Sequence, residues 1–217
     1  MEKQSTNNYK IAKLVEKKPL VEDILKMTFE LDDCSDFSAP GQYANIRVKG
    51  SDLDGDYNMS EYDSNRFIVV YRVSTDMASK ELSLLELGEE AEVITGLGNG
   101  YTIDEIPDNA VIVADTTGIP QMLGLVKELL MQGKDCKLYL GYSSKDKIFM
   151  IDFFRNLCNN IEILTADGSN GREGRADDAV RDAKYVCASG SIEMLDRLSK
   201  KAEAGQFNVD GTNVVKF

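Results

Sequence analysis

Gly96-Leu97-Gly98-Asn99-Gly100-Tyr101 divides this chain into two kinds of pattern. Three glycines in five residues suit neither a strand nor a helix interior, because each costs backbone entropy and packs no side chain. Before the stretch, apolar residues recur with period two, as in strands. After it, short β-branched runs alternate with helical patterns. The stretch therefore reads as the seam between an all-β domain over residues 1–98 and an α/β domain over residues 99–217.

Upstream, Tyr9 to Lys17 and Leu20 to Leu31 read as two strands with Pro19 as the turn between them. In the second, Leu25, Met27, Phe29 and Leu31 alternate with Lys26, Thr28 and Glu30, so one face is buried and one is wet. Ala39-Pro40-Gly41-Gln42-Tyr43 is a turn that launches a third strand through Val48. Residues 50–65 are polar and acidic and read as a solvated loop. Asp52, Asp54 and Asp56 resemble a calcium loop, but its glycine belongs at position six and Gly55 falls at position four. Arg66 to Val73 and Ala91 to Thr95 are strands, and Leu82 to Leu87 is a short helix or turn ended by Gly88. Roughly six strands with closely spaced turns predict a small antiparallel barrel.

Downstream, Ala110 to Ala114 is a short buried strand, and Thr116-Thr117-Gly118 leads into a helix. Ile119, Met122, Leu123, Val126, Leu129 and Leu130 share one helical face, Pro120 fits the first turn, and Gly133 ends it. Lys137 to Tyr142, Ile161 to Thr165 and Tyr185 to Ala188 are further strands. Lys147 to Leu157 is a helix with Ile148, Ile151 and Phe154 inward. Ser191 caps a last helix, with Met194, Leu195, Leu198 and Ala202 inward. Strands alternating with helices predict a doubly wound parallel sheet of the nucleotide-binding type.

Composition narrows the function. A net charge of −12 argues against nucleic acid and against an anionic membrane surface. No apolar run is long enough to cross a membrane, and Met1 to Asn8 carry no apolar signal region, so the expected compartment is the cytoplasm. The absence of His removes His-based triads, general bases and metal ligands together. Cys34, Cys136, Cys158 and Cys187 form no C-x-x-C pair, and three of them sit in apolar runs as small hydrophobes.

With both halves placed, their order resembles the ferredoxin–NADP reductase superfamily. Within it, the sequence is most similar to the electron-transfer subunit of the class 1B dihydroorotate dehydrogenases. Pro40-Gly41-Gln42-Tyr43 matches that family's Pro-Gly-Gln-Phe, and Val70-Tyr71-Arg72-Val73 its Tyr-Arg-Val strand. Gly96 to Tyr101 matches its Gly-Pro-Leu-Gly-Asn-Gly-Phe seam. Asp167-Gly168-Ser169-Asn170-Gly171-Arg172-Glu173-Gly174 matches its Asp-Gly-Ser-x-Gly-x-x-Gly loop. The resemblance runs from about residue 10 to about residue 204.

The resemblance implies FAD, a nicotinamide nucleotide as electron source, and a heteromeric dehydrogenase-type partner subunit. By position it implies flavin contacts at Ser60, Tyr71, Arg72, Val73, Ser79, Asn99 and Gly100. It implies dinucleotide contacts at Thr116, Thr117, Gly118 and Gly190, with the Asp167–Gly171 loop nearby. The chain departs from the family at several of these positions. The family's Arg-Pro-x-Ser becomes Tyr57-Asn58-Met59-Ser60, leaving the flavin pyrophosphate to Arg66 or Arg72, each of which also reads as an outward-pointing strand residue. Its Gly-x-Gly-Thr phosphate loop becomes Ser74 to Ser79. Its Gly-Gly-Gly-Ile-Gly turn becomes Ala114-Asp115-Thr116-Thr117-Gly118, where Asp115 would face an anionic ligand and Thr116 or Thr117 also reads as a helix cap. Its Cys-Gly-Pro becomes Ser189-Gly190-Ser191, with Cys187 two residues early. The stretch from Gln206 to Phe217 holds no Cys where the family places four, so no [2Fe-2S] cluster of that type is expected. These features fit either a flavin-dependent reductase subunit or a cofactor-free relative acting as a binding or regulatory subunit. No residue stands out as a general acid or base.

Overall fold

The computed structural model describes residues 9–181, 183–204 and 213–214. The signal-region reading at the N-terminus and most of the cysteine-free stretch after Gln206 lie outside these residues. The chain divides into two compact units, Met1–Gly100 and Tyr101–Phe217.

The first unit is a closed six-stranded barrel. Its strands are β1 (Lys10–Val21), β2 (Ile24–Glu30), β3 (Tyr43–Val48), β4 (Asp54–Tyr62), β5 (Arg66–Arg72) and β6 (Glu90–Leu97), in the order β1-β2-β5-β4-β3-β6. All pairings are antiparallel. Period-two alternation fills the interior with Ala12, Leu14, Met27, Phe29, Ile46, Met59, Phe67, Val69 and Val93. Phe29 and Phe67 face each other across the β2–β5 ladder and stack at 5.3 Å. One helix, α1 (Met77–Leu84), interrupts the barrel between β5 and β6.

Three readings of this unit need correction. Pro19 lies inside β1, and the hairpin turns at Glu22-Asp23 instead. The short helix sits earlier than Leu82 to Leu87, because Asp76 caps it by accepting from the Ser79 backbone N–H. The acidic stretch over residues 50–65 is largely strand β4 rather than a loop. Tyr57 and Met59 are buried there, with the Tyr57 ring edge-on to Tyr71 at 4.9 Å, while Asp54 and Asp56 face out. The apolar alternation was present in the sequence but was diluted by its acidic outer face.

The second unit is a six-stranded parallel sheet in the order β10-β9-β8-β7-β11-β12. The strands are β7 (Ala110–Asp115), β8 (Cys136–Tyr142), β9 (Ile161–Thr165), β10 (Arg172–Glu173), β11 (Val186–Ser189) and β12 (Asn213–Val214). Its helices are α2 (Ile119–Met131), α3 (Ile151–Leu157), α4 (Ala176–Ala179) and α5 (Ile192–Glu203). The apolar face of α2 is buried as its spacing requires, at Ile119, Met122, Leu123, Val126 and Leu129. α3 starts four residues later than Lys147. Neither Thr116 nor Thr117 caps α2; Gly118 holds the N-cap position with no side-chain bond. Ser191 does cap α5, accepting from the Met194 N–H at 3.3 Å.

Strand order is the feature that matters for function. The chain starts at β7, winds outward through β8 and β9, then returns to β11 on the other side of β7. In open parallel sheets ligands bind outside the carboxyl ends of the strands where this reversal occurs. Here that point lies at the ends of β7 and β11. Among the described residues, no helix is long and apolar enough to cross a membrane.

Candidate functional site

The seam motifs act first as scaffold. The Gln42 amide donates to the Gly96 and Gly98 carbonyls at 3.0 and 3.1 Å, and its oxygen accepts from the Ser38 and Ala39 N–H groups. Gly100 has φ 67°, and a Cβ there would lie 2.7 Å from the Ala39 side chain. The Pro-Gly-Gln turn and the glycine seam thus lock together because only glycine leaves room. In the second unit Tyr101 is buried and donates from its hydroxyl to the Ala188 carbonyl, on β11, at 3.2 Å. Asn99 is exposed.

In the barrel, the expected flavin contacts Ser60, Tyr71, Arg72, Val73 and Ser79 fall on the paired strands β4 and β5 and on the segment through α1 that follows β5. The β4–β5 register slips between Met59 and Glu61, which makes Ser60 the bulged residue. Bulges recur beside functional sites because they re-aim a side chain; this one leaves Ser60 1% exposed. The Tyr71 side chain packs into the core, its hydroxyl 3.5 Å from the Met27 sulfur. Arg72 is exposed at the end of β5 and pairs with Asp23 at 3.1 Å. Arg66 lies at the other end of that strand and is committed to Glu30 at 2.7 Å. Val73 follows, half-buried, its N–H donating to the Asp23 carbonyl at 2.8 Å.

The loop from Ser74 to Ser79 is closed by its own side chains. Asp76 accepts from the Ser79 N–H at 2.8 Å and from the Ser74 hydroxyl, while the Ser74 N–H donates to the Ser79 hydroxyl at 3.1 Å. The Ser74 hydroxyl, aided by the Ser79 N–H, holds the Asp76 carboxyl at about 2. A carboxylate therefore stands at the N-terminus of α1.

In the parallel sheet, the expected dinucleotide contacts meet at the β7–β11 reversal point. Ala114 pairs with Ser189 across the two strands. Gly118 packs so tightly against β11 that a Cβ would lie 1.9 Å from the Ser189 carbonyl oxygen. The Ser189 hydroxyl turns inward to Gln121 at 2.8 Å. Asp115 ends β7, and its carboxylate accepts from the Thr117 hydroxyl at 3.0 Å, from the Ser191 N–H at 3.0 and 3.1 Å, and from the Ser191 hydroxyl. Gly190 lies against it: a Cβ there would meet the Asp115 Oδ1 at 2.4 Å. Thr116 is half-buried in the same turn and Thr117 is exposed. The Asp167–Gly171 loop is self-tied, with Asp167 accepting from the Ser169 N–H and hydroxyl, and Ser169 accepting from the Lys145 N–H at 2.8 Å.

The three buried thiols are poor nucleophiles. Burial pushes Cys187 to about 12 and Cys136 to about 12, and raises Cys34 to about 11. Among the described residues, no group of three or more His, Cys, Asp or Glu side chains is arranged to hold a metal ion.

Sequence reasoning named Asp115 but not its partner, since Ser191 lies 76 residues away. It missed Asp23 as the partner of Arg72, which carries no sequence signal. It also missed the Asp76 cap, although an Asp three residues before Ser79 is a capping pattern that could have disclosed it.

No family model matches the chain. It is similar to the electron transfer subunit of dihydroorotate dehydrogenase B (NAD(+)) of Fusobacterium nucleatum, with 27% identity over 196 residues, 82% of this chain and 74% of the relative. The corresponding subunit of Enterococcus faecalis is 27% identical over 85% of this chain and 76% of its own length. A structure of an NADH-dependent reduced ferredoxin–NADP oxidoreductase, described in terms of flavin-based electron bifurcation, superposes with a TM-score of 0.80 and 25% identity, covering 91% of this chain and 73% of that one. The resemblance read from the motifs and the barrel-plus-parallel-sheet fold are both borne out.

Proposed function

We propose that this chain is a flavin-dependent electron-transfer subunit that holds FAD, accepts electrons from a nicotinamide nucleotide and passes them to a partner or small acceptor. The observation that carries this reading is the similarity to curated electron transfer subunits across more than four-fifths of the chain, on a fold that keeps both units. In this proposal the barrel is the FAD-binding domain and the parallel sheet the NAD(P)-binding domain.

The residues at the β4–β5 edge suit FAD in type. Arg72 is the guanidinium for the pyrophosphate. Its exposed pair with Asp23 is worth at most about 1 kcal/mol, so it can be exchanged for a better anion. Ser60, Ser79 and the backbone at Tyr71 and Val73 supply hydrogen bonds, and Asn99 and Gly100 complete the contacts. FAD, when bound, supplies the redox chemistry; the protein supplies binding and orientation. Nothing in the chain need act as a general acid for hydride transfer to a flavin. The dinucleotide would lie over Thr116, Thr117 and Gly118, with Gly190 alongside. The cysteines are dispersed over both units, which favours electron delivery without a cluster held by this chain. The partner we infer is a dehydrogenase-type subunit, as for the relatives. Four free thiols accord with a reducing cytoplasm.

A second reading, a cofactor-free binding subunit, draws on the carboxylates of Asp76 and Asp115 at the two expected phosphate positions. Titration of the purified chain with FAD and FMN separates the two. The first reading expects saturable FAD uptake with a perturbed flavin spectrum, and loss of most of that uptake in Arg72→Ala. No uptake of either flavin would overturn it in favour of the second. Uptake unchanged in Arg72→Ala would remove Arg72 from the site.

A further inference from the structure

We propose that Asp115 is a built-in occupant of this chain's dinucleotide seat, a carboxylate that the diphosphate of a pyridine dinucleotide must displace, and so the residue that sets affinity for NAD(P)H. The inference rests on the nicotinamide-nucleotide part of the proposed function. It begins from topology. The strand order reverses between β7 and β11, which puts the ligand crevice at their carboxyl ends. The groups that stand there are the β7–α2 turn, Gly190 and the N-terminus of α5.

A diphosphate in such a crevice needs free backbone N–H groups and close approach of the chain. Asp115 takes up part of both. The Ser191 N–H, first at the start of α5, donates to both Asp115 oxygens at 3.0 and 3.1 Å, and the Ser191 hydroxyl donates to the same carboxylate. The Thr117 N–H and hydroxyl reach Asp115 at 3.3 and 3.0 Å. The space that the lack of a Gly190 side chain leaves is filled by Asp115 Oδ1, which a Cβ would meet at 2.4 Å. The arrangement mimics an anion bound in the seat, with the chain's own carboxylate as the anion.

Charge strengthens the block. Arg197 on α5 feels the Asp115 charge, but its guanidinium is clasped by the buried Asp177 at 2.8 and 2.9 Å. An incoming diphosphate thus meets a negative centre that already holds the Ser191 and Thr117 donors, while Arg197 is engaged by Asp177. Binding requires Asp115 to swing off Ser191 and leave the crevice. The affinity of the wild-type chain for NADH is weak for this reason, and removing one negative charge raises it.

The test is calorimetric titration of the full chain with NADH, ADP-ribose and reduced (dihydro) nicotinamide riboside, for wild type, Asp115→Asn and Asp115→Gly. Asn keeps an acceptor for Ser191 and removes the charge; Gly empties the seat. Both variants are expected to bind NADH and ADP-ribose about tenfold tighter than wild type, the effect of removing one like charge near a phosphate in a solvated site. The reduced riboside, which is uncharged and lacks phosphate, should bind all three alike, a pattern that a merely structural role for Asp115 would not produce. Equal or weaker NADH binding in both variants, or no dinucleotide binding by any of the three, overturns the proposal. Flavin uptake measured on the same samples keeps the readings apart. A chain that takes no FAD but binds ADP-ribose more tightly as Asp115→Asn loses the flavin reading and keeps this one.

Discussion

The two carboxylates Asp76 and Asp115 do a similar job in two very different ways. Each stands in a turn that follows a strand and leads into a helix. Asp76 is exposed and closes only its own loop, bonding Ser74 and Ser79 within a few residues. Asp115 ties the end of β7 to the start of α5, across 76 residues of chain. The first is a local helix cap whose loss is felt by one helix turn. The second is a cross-link between the end of a strand and the cap of a distant helix. A turn can therefore be closed by a local cap or by a long-range tie, and only the second stands where the strand order reverses.

The comparison breaks most visibly at Gly118. Its missing Cβ is what lets the β7–α2 turn lie on the Ser189 carbonyl, so Gly118→Ala pushes the two strand ends apart. We expect a loss of about 3 kcal/mol in urea denaturation, the upper end of overpacking costs, because the atom met is backbone and cannot rotate away. A variant as stable as wild type would mean that β7 and β11 are not held so closely. Next in size, Asp115→Ala leaves the Ser191 N–H without its partner and should cost about 2 kcal/mol.

The smallest effect is at the barrel. Asp76→Ala should cost about 1 kcal/mol, the usual value of a cap. Its pH dependence has a definite sign. The Asp76 carboxyl is lowered from 3.8 to about 2 by the Ser74 hydroxyl, so its contribution is complete above the unfolded value and fades as pH falls towards 2. The stability gap between wild type and Asp76→Asn should close over that window. A gap that widened on acidification would show that the carboxylate is not the capping form.

The same pair shows how much of the molecule was legible in the sequence. Contacts between near neighbours were readable. The alternation of Met27, Phe29 and Leu31 gave a barrel strand, the spacing of Met122, Leu123, Val126 and Leu129 gave α2, and Ser191 gave the cap of α5. Strand β4 was hidden because Tyr57, Met59 and Ser60 point inward from between Asp54, Asp56 and Glu61, and a window of that polarity reads as a loop. Ser60 sits at a bulge, which has no pattern of its own when no glycine marks it. For the site, residue types aligned with a family, but their state did not. Nothing local says that Arg72 is paired with Asp23, that Tyr71 faces the core, or that the Asp115 carboxylate lies on Ser191. Those depend on chain closure over tens of residues.

The measurement that tests the central claim most directly is an anaerobic titration of the FAD-loaded chain with NADH, followed by the visible flavin band. The account predicts that the band bleaches, at lower NADH concentration in Asp115→Asn than in wild type. A chain that holds FAD firmly, yet is bleached by neither NADH nor NADPH in either form, would contradict it.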